Sequence, residues 1–183
     1  MAGRQIIQPR HQPRKIKLMG KQRQQWRVGD VFLVPNLDKK FTVGQIVAHE
    51  TDVWSSVTCA FFDFRVNGEA EINCLQELSS DKIFSVQFVT RDLLEEGQWR
   101  IVCNLPVNLP THLLPYEGIR QMRFIGAVVR GSATITEFLN AFYGLVAWDD
   151  WKKPNYLDDF LISLEKKPRK LIFKEQLKTT NSG

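Results

Sequence analysis

The sequence predicts an α+β domain: a mostly antiparallel sheet, able to curl into a small SH3-like barrel, followed by two C-terminal helices. Three observations predict it. Apolar residues alternate with a period of two up to Arg130-Gly131, then recur with a period near 3.6. Strand-like runs come first and helical runs last, joined by short links, which is the α+β order. The 183 residues are 43% hydrophobic and include 20 aromatics, which is enough apolar volume to fill a single core and excludes a chain disordered throughout.

Residues 1–25 are rich in Gln, Arg, Lys and Pro without periodicity and read as a basic, flexible N-terminal arm. A single domain is expected over 26–165, with 166–183 as a basic C-terminal tail. Gly29-Asp30 is a turn signal, and Val31 to Pro35 is a short strand ended by proline. Residues 36–40 suit a hairpin loop. Phe41 to His49 then alternates, with Phe41, Val43, Gln45 and Val47 on one face. Gly44 inside that strand implies a bulge or a close backbone approach.

Ser56 to Arg65 is the next strand, and the Phe61-Phe62 pair requires cover on both faces. Asn67-Gly68 is a turn, and residues 69–82 carry no clear pattern. Phe84, Val86 and Phe88 alternate, as do Trp99, Ile101 and Cys103, with Arg91 to Gly97 as a helical turn between the two runs. Met122 to Val129 reads as a further strand. Ile135, Phe138, Leu139, Phe142 and Val146 then make the apolar stripe of a helix. Thr134 and Glu137 form a capping box before it, and Gly144 suits its end. A second helix is expected from Asn155 to about Leu164. Its buried stripe is Leu157, Phe160, Leu161 and Leu164, and Pro168 stops the chain beyond it. Whether the sheet closes is not decided by periodicity.

The net charge of +5 conceals three regions. Residues 1–27 hold eight bases and no acid, residues 164–183 sum to +4, and the stretch between them sums to −7. The basic character belongs to the ends. A high overall pI therefore gives no direct argument for nucleic-acid binding by the domain itself. An acidic domain favours a basic protein partner. No apolar stretch approaches the roughly 18 residues of a membrane span. The start lacks a secretory apolar region, and Pro9 and Pro13 interrupt any amphipathic transit helix. Cys59, Cys74 and Cys103 are odd in number and widely spaced, fitting neither a disulfide framework nor a metal site. Reduced thiols and a cytoplasmic location are the expectation.

Catalytic signatures are missing: there is no phosphate loop, no nucleophile elbow, no HExxH and no EF-hand loop. His49 and His112 are the domain's histidines, and no spacing places either beside Cys59 or Cys103. We expect no enzyme, no cofactor and no metal. Four carboxylates, Asp149, Asp150, Asp158 and Asp159, lie within eleven residues and allow metal binding in principle. Adjacent aspartates before and within a helix more often make a solvated face that complements the helix dipole. Trp148 and Trp151 in the same stretch either pack on the core or are presented to a partner. The N-terminal arm likewise has two readings, a salt-sensitive contact to phosphate or a solvated extension. Trp26 at its edge is its one stacking platform.

Trp26-Arg27-Val28-Gly29-Asp30-Val31-Phe32-Leu33-Val34-Pro35, followed by Phe41-Thr42-Val43-Gly44-Gln45-Ile46-Val47, resembles the opening of the immunity protein 26 family of bacterial polymorphic toxin systems. Gly97-Gln98-Trp99-Arg100-Ile101, and then Asp149-Asp150-Trp151 ahead of Tyr156-Leu157, are similar in order and character, so the resemblance spans about residues 26–165. It implies a cytoplasmic inhibitor that binds and neutralises a cognate toxin domain, one with a basic, nucleic-acid-targeting cleft. The expected contact residues are Trp148, Asp149, Asp150, Trp151, Asp158 and Asp159. Steering by charge and a few desolvated aromatics would supply rate and affinity. The alternative is a nucleic-acid-binding regulatory module acting through the basic arm.

Overall fold

Val31 and Leu33 face one way along the first strand, Phe32 and Val34 the other, and all four are buried. A strand with no wet side belongs inside a sheet covered on both faces. The computed structural model describes residues 23–53, 56–69, 71, 78–115 and 117–176. Residues 1–22 of the arm, Cys74, most of the unpatterned stretch near 70–77 and the end of the tail lie outside the described residues.

Six strands form one sheet: β1 (Asp30–Pro35), β2 (Phe41–Glu50), β3 (Ser56–Val66), β4 (Ile83–Val89), β5 (Arg100–Asn104) and β6 (Val129–Arg130). Their order is β5-β1-β2-β3-β4-β6. All neighbours are antiparallel except β4 and β6, which pair in parallel through Phe88–Val129 and Val89–Arg130. The α+β class is therefore as the sequence predicts, and β5 and β6 stand at opposite edges. Helix α1 (Asp92–Glu95) is the expected turn between β4 and β5, and α2 (Ser132–Phe142) covers one face of the sheet. The other face closes over Val43, Val47, Ala60 and Phe62 with Leu105, Leu109, Leu113 and Leu114 from the segment after β5.

The alternation expected on β4 and β5 is broken twice, by the same device. Opposite Phe61 and Phe62, β4 carries an extra residue, Phe84, between their partners Ser85 and Ile83. Opposite Val31 and Phe32, β5 carries Val102 between Cys103 and Ile101. Each bulge inverts the faces beyond it and adds local twist. Phe84 thus joins the α2 side while Val86 joins the other core.

The hairpin at 36–40 is as expected. The Leu37 N–H donates to Asn140 Oδ1 (2.9 Å), pinning the hairpin to α2. The start of α2 differs from expectation. Its N-cap is Gly131, and the capping box is not used. The Ser132 N–H instead donates to Thr90 Oγ1 (2.9 Å), and that hydroxyl donates to Asp92 Oδ1 (2.5 Å), so a partner distant in sequence satisfies the helix end. Its other end follows the sequence. Gly144 takes φ +66°, its N–H donates to Ala141 O, and the Leu145 N–H donates to Asn140 O, a Schellman stop.

Two further expectations are corrected. Met122 to Val129 is not a strand. Residues 117–127 fold into successive turns, and only Val129–Arg130 pairs. The second terminal helix is not α-helical either. Tyr156–Phe160 makes one 3₁₀ turn, after which Leu161 is extended. The edge of β4 captures the chain there: the Ile162 N–H donates to Phe84 O (3.0 Å), and Gln87 Nε2 donates to Phe160 O (3.0 Å). Leu157 and Phe160 are buried as the stripe required, but Leu164 is exposed.

Candidate functional site

The Gly29-Asp30, Phe32, Gly44-Gln45 and Trp99 motif residues of the first half are engaged within the fold. The Asp30 carboxylate accepts from the Arg27 N–H (2.8 Å) and from Asn104 Nδ2 (2.8 Å), which holds the turn before β1 to the end of β5. Gln45 is buried, and its Nε2 donates to Leu105 O (3.0 Å), Pro106 O (3.4 Å) and Gly29 O (3.3 Å). Phe32 lies directly over Gly44, its register partner, and stacks on Trp99 at 5.3 Å and 3°. Trp99 Nε1 donates to Thr136 Oγ1 (3.2 Å), joining this aromatic layer to α2. These residues make a scaffold.

The acidic loop begins where the chain leaves α2. Ala147 bridges Ile172 in parallel, and the Trp148 N–H donates to Ile172 O (2.8 Å). Trp148 is only 1% exposed, its ring is 6.0 Å from that of Phe138, and its Nε1 donates to Asp158 Oδ1 (2.8 Å). Lys167 Nζ reaches the same oxygen at 2.7 Å and lies 5.4 Å from the indole centroid. Trp148 and Asp158 thus close the base of the loop. Asp149 Oδ1 accepts from the Lys174 N–H (2.7 Å), and Asp150 pairs with Lys174 Nζ at 2.5 Å. The Asp150 hydrogen bond and the charges of Asp150 and Asp149 raise the Lys174 pKa. Asp159 pairs with Lys153 at 3.6 Å. Trp151 is half-buried against Tyr156 at 4.9 Å. Arg130 Nη1 donates to the Tyr156 hydroxyl oxygen (3.1 Å), and its guanidinium lies 4.3 Å from the Phe160 centroid.

Of the six residues expected at a contact surface, Trp148 and Asp158 are turned to the base of the loop. Asp150 and Asp159 are exposed, and Asp149 and Trp151 are intermediate. Sequence arithmetic assigned the acids to the domain and the bases to its tail. In space, Lys167 and Lys174 of the tail fold back over those acids, so the local charge is largely balanced. Arg130 and Tyr156 were not anticipated. Only their ring and guanidinium contacts, made across 26 residues, reveal them.

The remaining chemistry-bearing groups are dispersed. Cys59 is fully buried on β3, and burial pushes its thiol far above the ordinary range. Burial, helped by the Asp30 charge, also raises Cys103. His49 packs edge-on against Trp26 at 4.9 Å, and His112 lies in the turn Thr111–Leu113. Among the described residues, no group of three or more His, Cys, Asp or Glu side chains is placed to hold a metal, and no helix is long and apolar enough to cross a membrane. A groove of about 560 Å³ at the domain's start is lined by Arg23, Trp26, Arg27, His49, Arg91 and Glu95.

No curated protein and no solved structure shows significant similarity to this chain. A model of the family described as Immunity protein 26 matches residues 27–123. That span covers more than half of the sequence and runs from the turn before β1 past β5, taking in Gly29-Asp30, Gly44-Gln45 and Trp99. The matched residues include strands β1 to β5 of the sheet, and on the extent of that match the chain belongs to the immunity protein 26 family.

Proposed function

We propose that this protein acts in the cytoplasm as the inhibitor of a polymorphic toxin system, binding a cognate toxin domain and neutralising it without catalysis. The family match over residues 27–123 carries the reading. The loop from Trp148 to Asp159 is the proposed contact surface. Trp148 and Asp158 fix its shape, while Asp149, Asp150, Trp151 and Asp159 meet the toxin. The Asp150–Lys174 and Asp159–Lys153 pairs are more than half exposed on both partners, so they contribute little and exchange readily for a cation on a partner. A toxin with a basic, nucleic-acid-binding cleft supplies such cations, and occluding that cleft is inhibition enough. Co-expression with the product of the open reading frame immediately upstream tests the proposal. Restored growth and a complex that survives moderate salt support it, and a harmless upstream product that never co-purifies refutes it.

A second reading has its own observation. Arg23 and Arg27 each expose 76% of their side chains beside Trp26 in the groove at the domain's start, where the basic arm enters. Charge and an aromatic ring at one place suit single-stranded nucleic acid. Retention of nucleic acid that high salt strips away, lost on deleting the arm, would favour this reading.

A further inference from the structure

Met122 to Val129 is rich enough in apolar side chains to suggest a strand, yet the structure leaves much of that apolar surface in water. Met122, Ile125 and Val128 are 54%, 75% and 55% exposed. The segment is nonetheless closely tied. The Met122 and Phe124 N–H groups both donate to Ile119 O, that of Arg123 to Arg120 O, that of Ile125 to Met122 O and that of Ala127 to Phe124 O, all between 2.9 and 3.1 Å. Phe124 anchors it, its ring edge-on to Phe88 of β4 at 6.2 Å.

The backbone is strained as well. Arg123 and Phe124 are consecutive residues at φ +51° and +60°. The left-handed region disfavours any side chain, and a bulky one most. Such strain persists only where the surroundings hold it, and it concentrates at sites with a task. Here the internal bonds and the Phe124 anchor hold it, and the outcome is three apolar side chains turned outward around Arg123. A loop already rigid in this form loses little entropy when it is covered.

We infer that residues 119–128 form a preorganised ridge that docks into the cognate toxin, Met122, Ile125 and Val128 entering an apolar depression and Arg123 meeting carboxylates at its rim. This rests on the immunity reading above. Charge names the chemistry of the occupant: Arg120 is paired with Glu50 at 3.5 Å and Arg130 is engaged by Tyr156, but Arg123 stands exposed among the three apolar side chains, so the facing rim supplies carboxylates to it. The ridge also continues into the surface already proposed. It runs directly into β6, whose Arg130 reaches Tyr156 and through it Trp151. An apolar ridge carrying the exposed Arg123, beside a loop that exposes the Asp150 and Asp159 carboxylates, presents two signs of charge, which fixes the orientation in which a partner docks.

The test uses the full chain and the product of the upstream open reading frame. The triple variant Met122→Ser, Ile125→Ser, Val128→Ser is expected to dissociate from that product roughly 100-fold faster, as loss of a central apolar anchor does, with an unchanged thermal midpoint. Hydrogen exchange on the wild-type complex is expected to slow at the amides of 119–128. Should the triple variant fail to fold, Arg123→Glu and the exchange measurement carry the test, with roughly tenfold weaker binding expected. A wild-type complex that the variants retain, with 119–128 unprotected, overturns the ridge and leaves the immunity reading standing. Absence of any wild-type complex overturns both. Sedimentation of the wild type with phosphatidylglycerol vesicles, or self-association, either of them abolished in the triple variant, reassigns the ridge to a membrane or to a second copy and overturns the toxin as its occupant.

Discussion

Trp148 Nε1 donates a 2.8 Å hydrogen bond to Asp158 Oδ1 across ten residues of loop. That contact separates two kinds of residue within one acidic, aromatic stretch. Trp148 and Asp158 are supports, and Asp150 and Asp159 stand outside them in water.

Removing a support should therefore affect stability. Trp148→Ala is expected to cost about 3–5 kcal/mol through the lost aromatic volume, and Asp158→Ala about 1–3 kcal/mol through the unpaired indole N–H and Lys167. Asp150→Lys with Asp159→Lys should shift stability by no more than about 0.5 kcal/mol while slowing toxin association. Urea titrations and stopped-flow association measure the two separately. A destabilised Asp150/Asp159 variant, or unaltered association, would contradict this division.

Gly44 is expected to resist any side chain. A Cβ there would lie 2.5 Å from the Phe32 ring, which is itself stacked on Trp99. Gly44→Ala should cost roughly 1–3 kcal/mol from overpacking, and Phe32→Leu in the same chain should recover part of the loss. Gly68→Ala, with nothing within 4 Å of its Cβ, serves as the control.

The arm ends later in sequence than the folded contacts begin. Gln24 Nε2 donates to Leu94 O (2.7 Å) and Trp99 O (2.8 Å), and Gln24 Oε1 accepts the Ile101 N–H (3.1 Å). The side-chain amide thus stands in for a neighbouring strand at the exposed edge of β5. Deleting residues 1–22 is expected to leave the unfolding midpoint unchanged. Deleting 1–25, or Gln24→Ala, should cost about 1–3 kcal/mol and speed exchange at the Ile101 amide. Equal midpoints for the two deletions would show that Gln24 contributes nothing.

Asp92 links stability to acid. Burial opposes its charge, but the hydrogen bonds that Thr90 and the α1 backbone supply outweigh that and hold its carboxyl below the ordinary aspartate value of 3.8. The folded state therefore binds this proton less readily than the unfolded chain. Its contribution is complete above that ordinary value and is lost as pH falls through the lower, folded one. Asp92→Asn should flatten the acid limb of a stability–pH curve and loosen the start of α2, where Thr90 caps Ser132. An acid limb identical to that of wild type would exclude this linkage.

Short-range signals in the sequence carried a large part of the fold. Gly29-Asp30, the hairpin at 36–40, the paired faces of Phe61-Phe62 and the stop at Gly144 each depend on neighbours a few residues away, and each stands as read. The family was also legible, through Gly29-Asp30, Gly44-Gln45 and Trp99, which are core and turn positions within the matched residues 27–123, whereas Asp149-Asp150-Trp151 and Tyr156-Leu157 lie beyond that match. Tertiary structure decided what depended on distant partners. The extra residues Phe84 and Val102 show only against the opposite strand, Thr90 replaces a local cap from 42 residues away, and the β4 edge turns an expected helix into a single 3₁₀ turn at Tyr156–Phe160. The candidate site divides in the same way. Sequence alone gathered its aspartates and tryptophans, since they lie within twelve residues. Folding alone buried Trp148, brought Lys167 and Lys174 over the carboxylates and exposed Met122 and Ile125, because burial and charge pairing follow distance in space, which composition does not record.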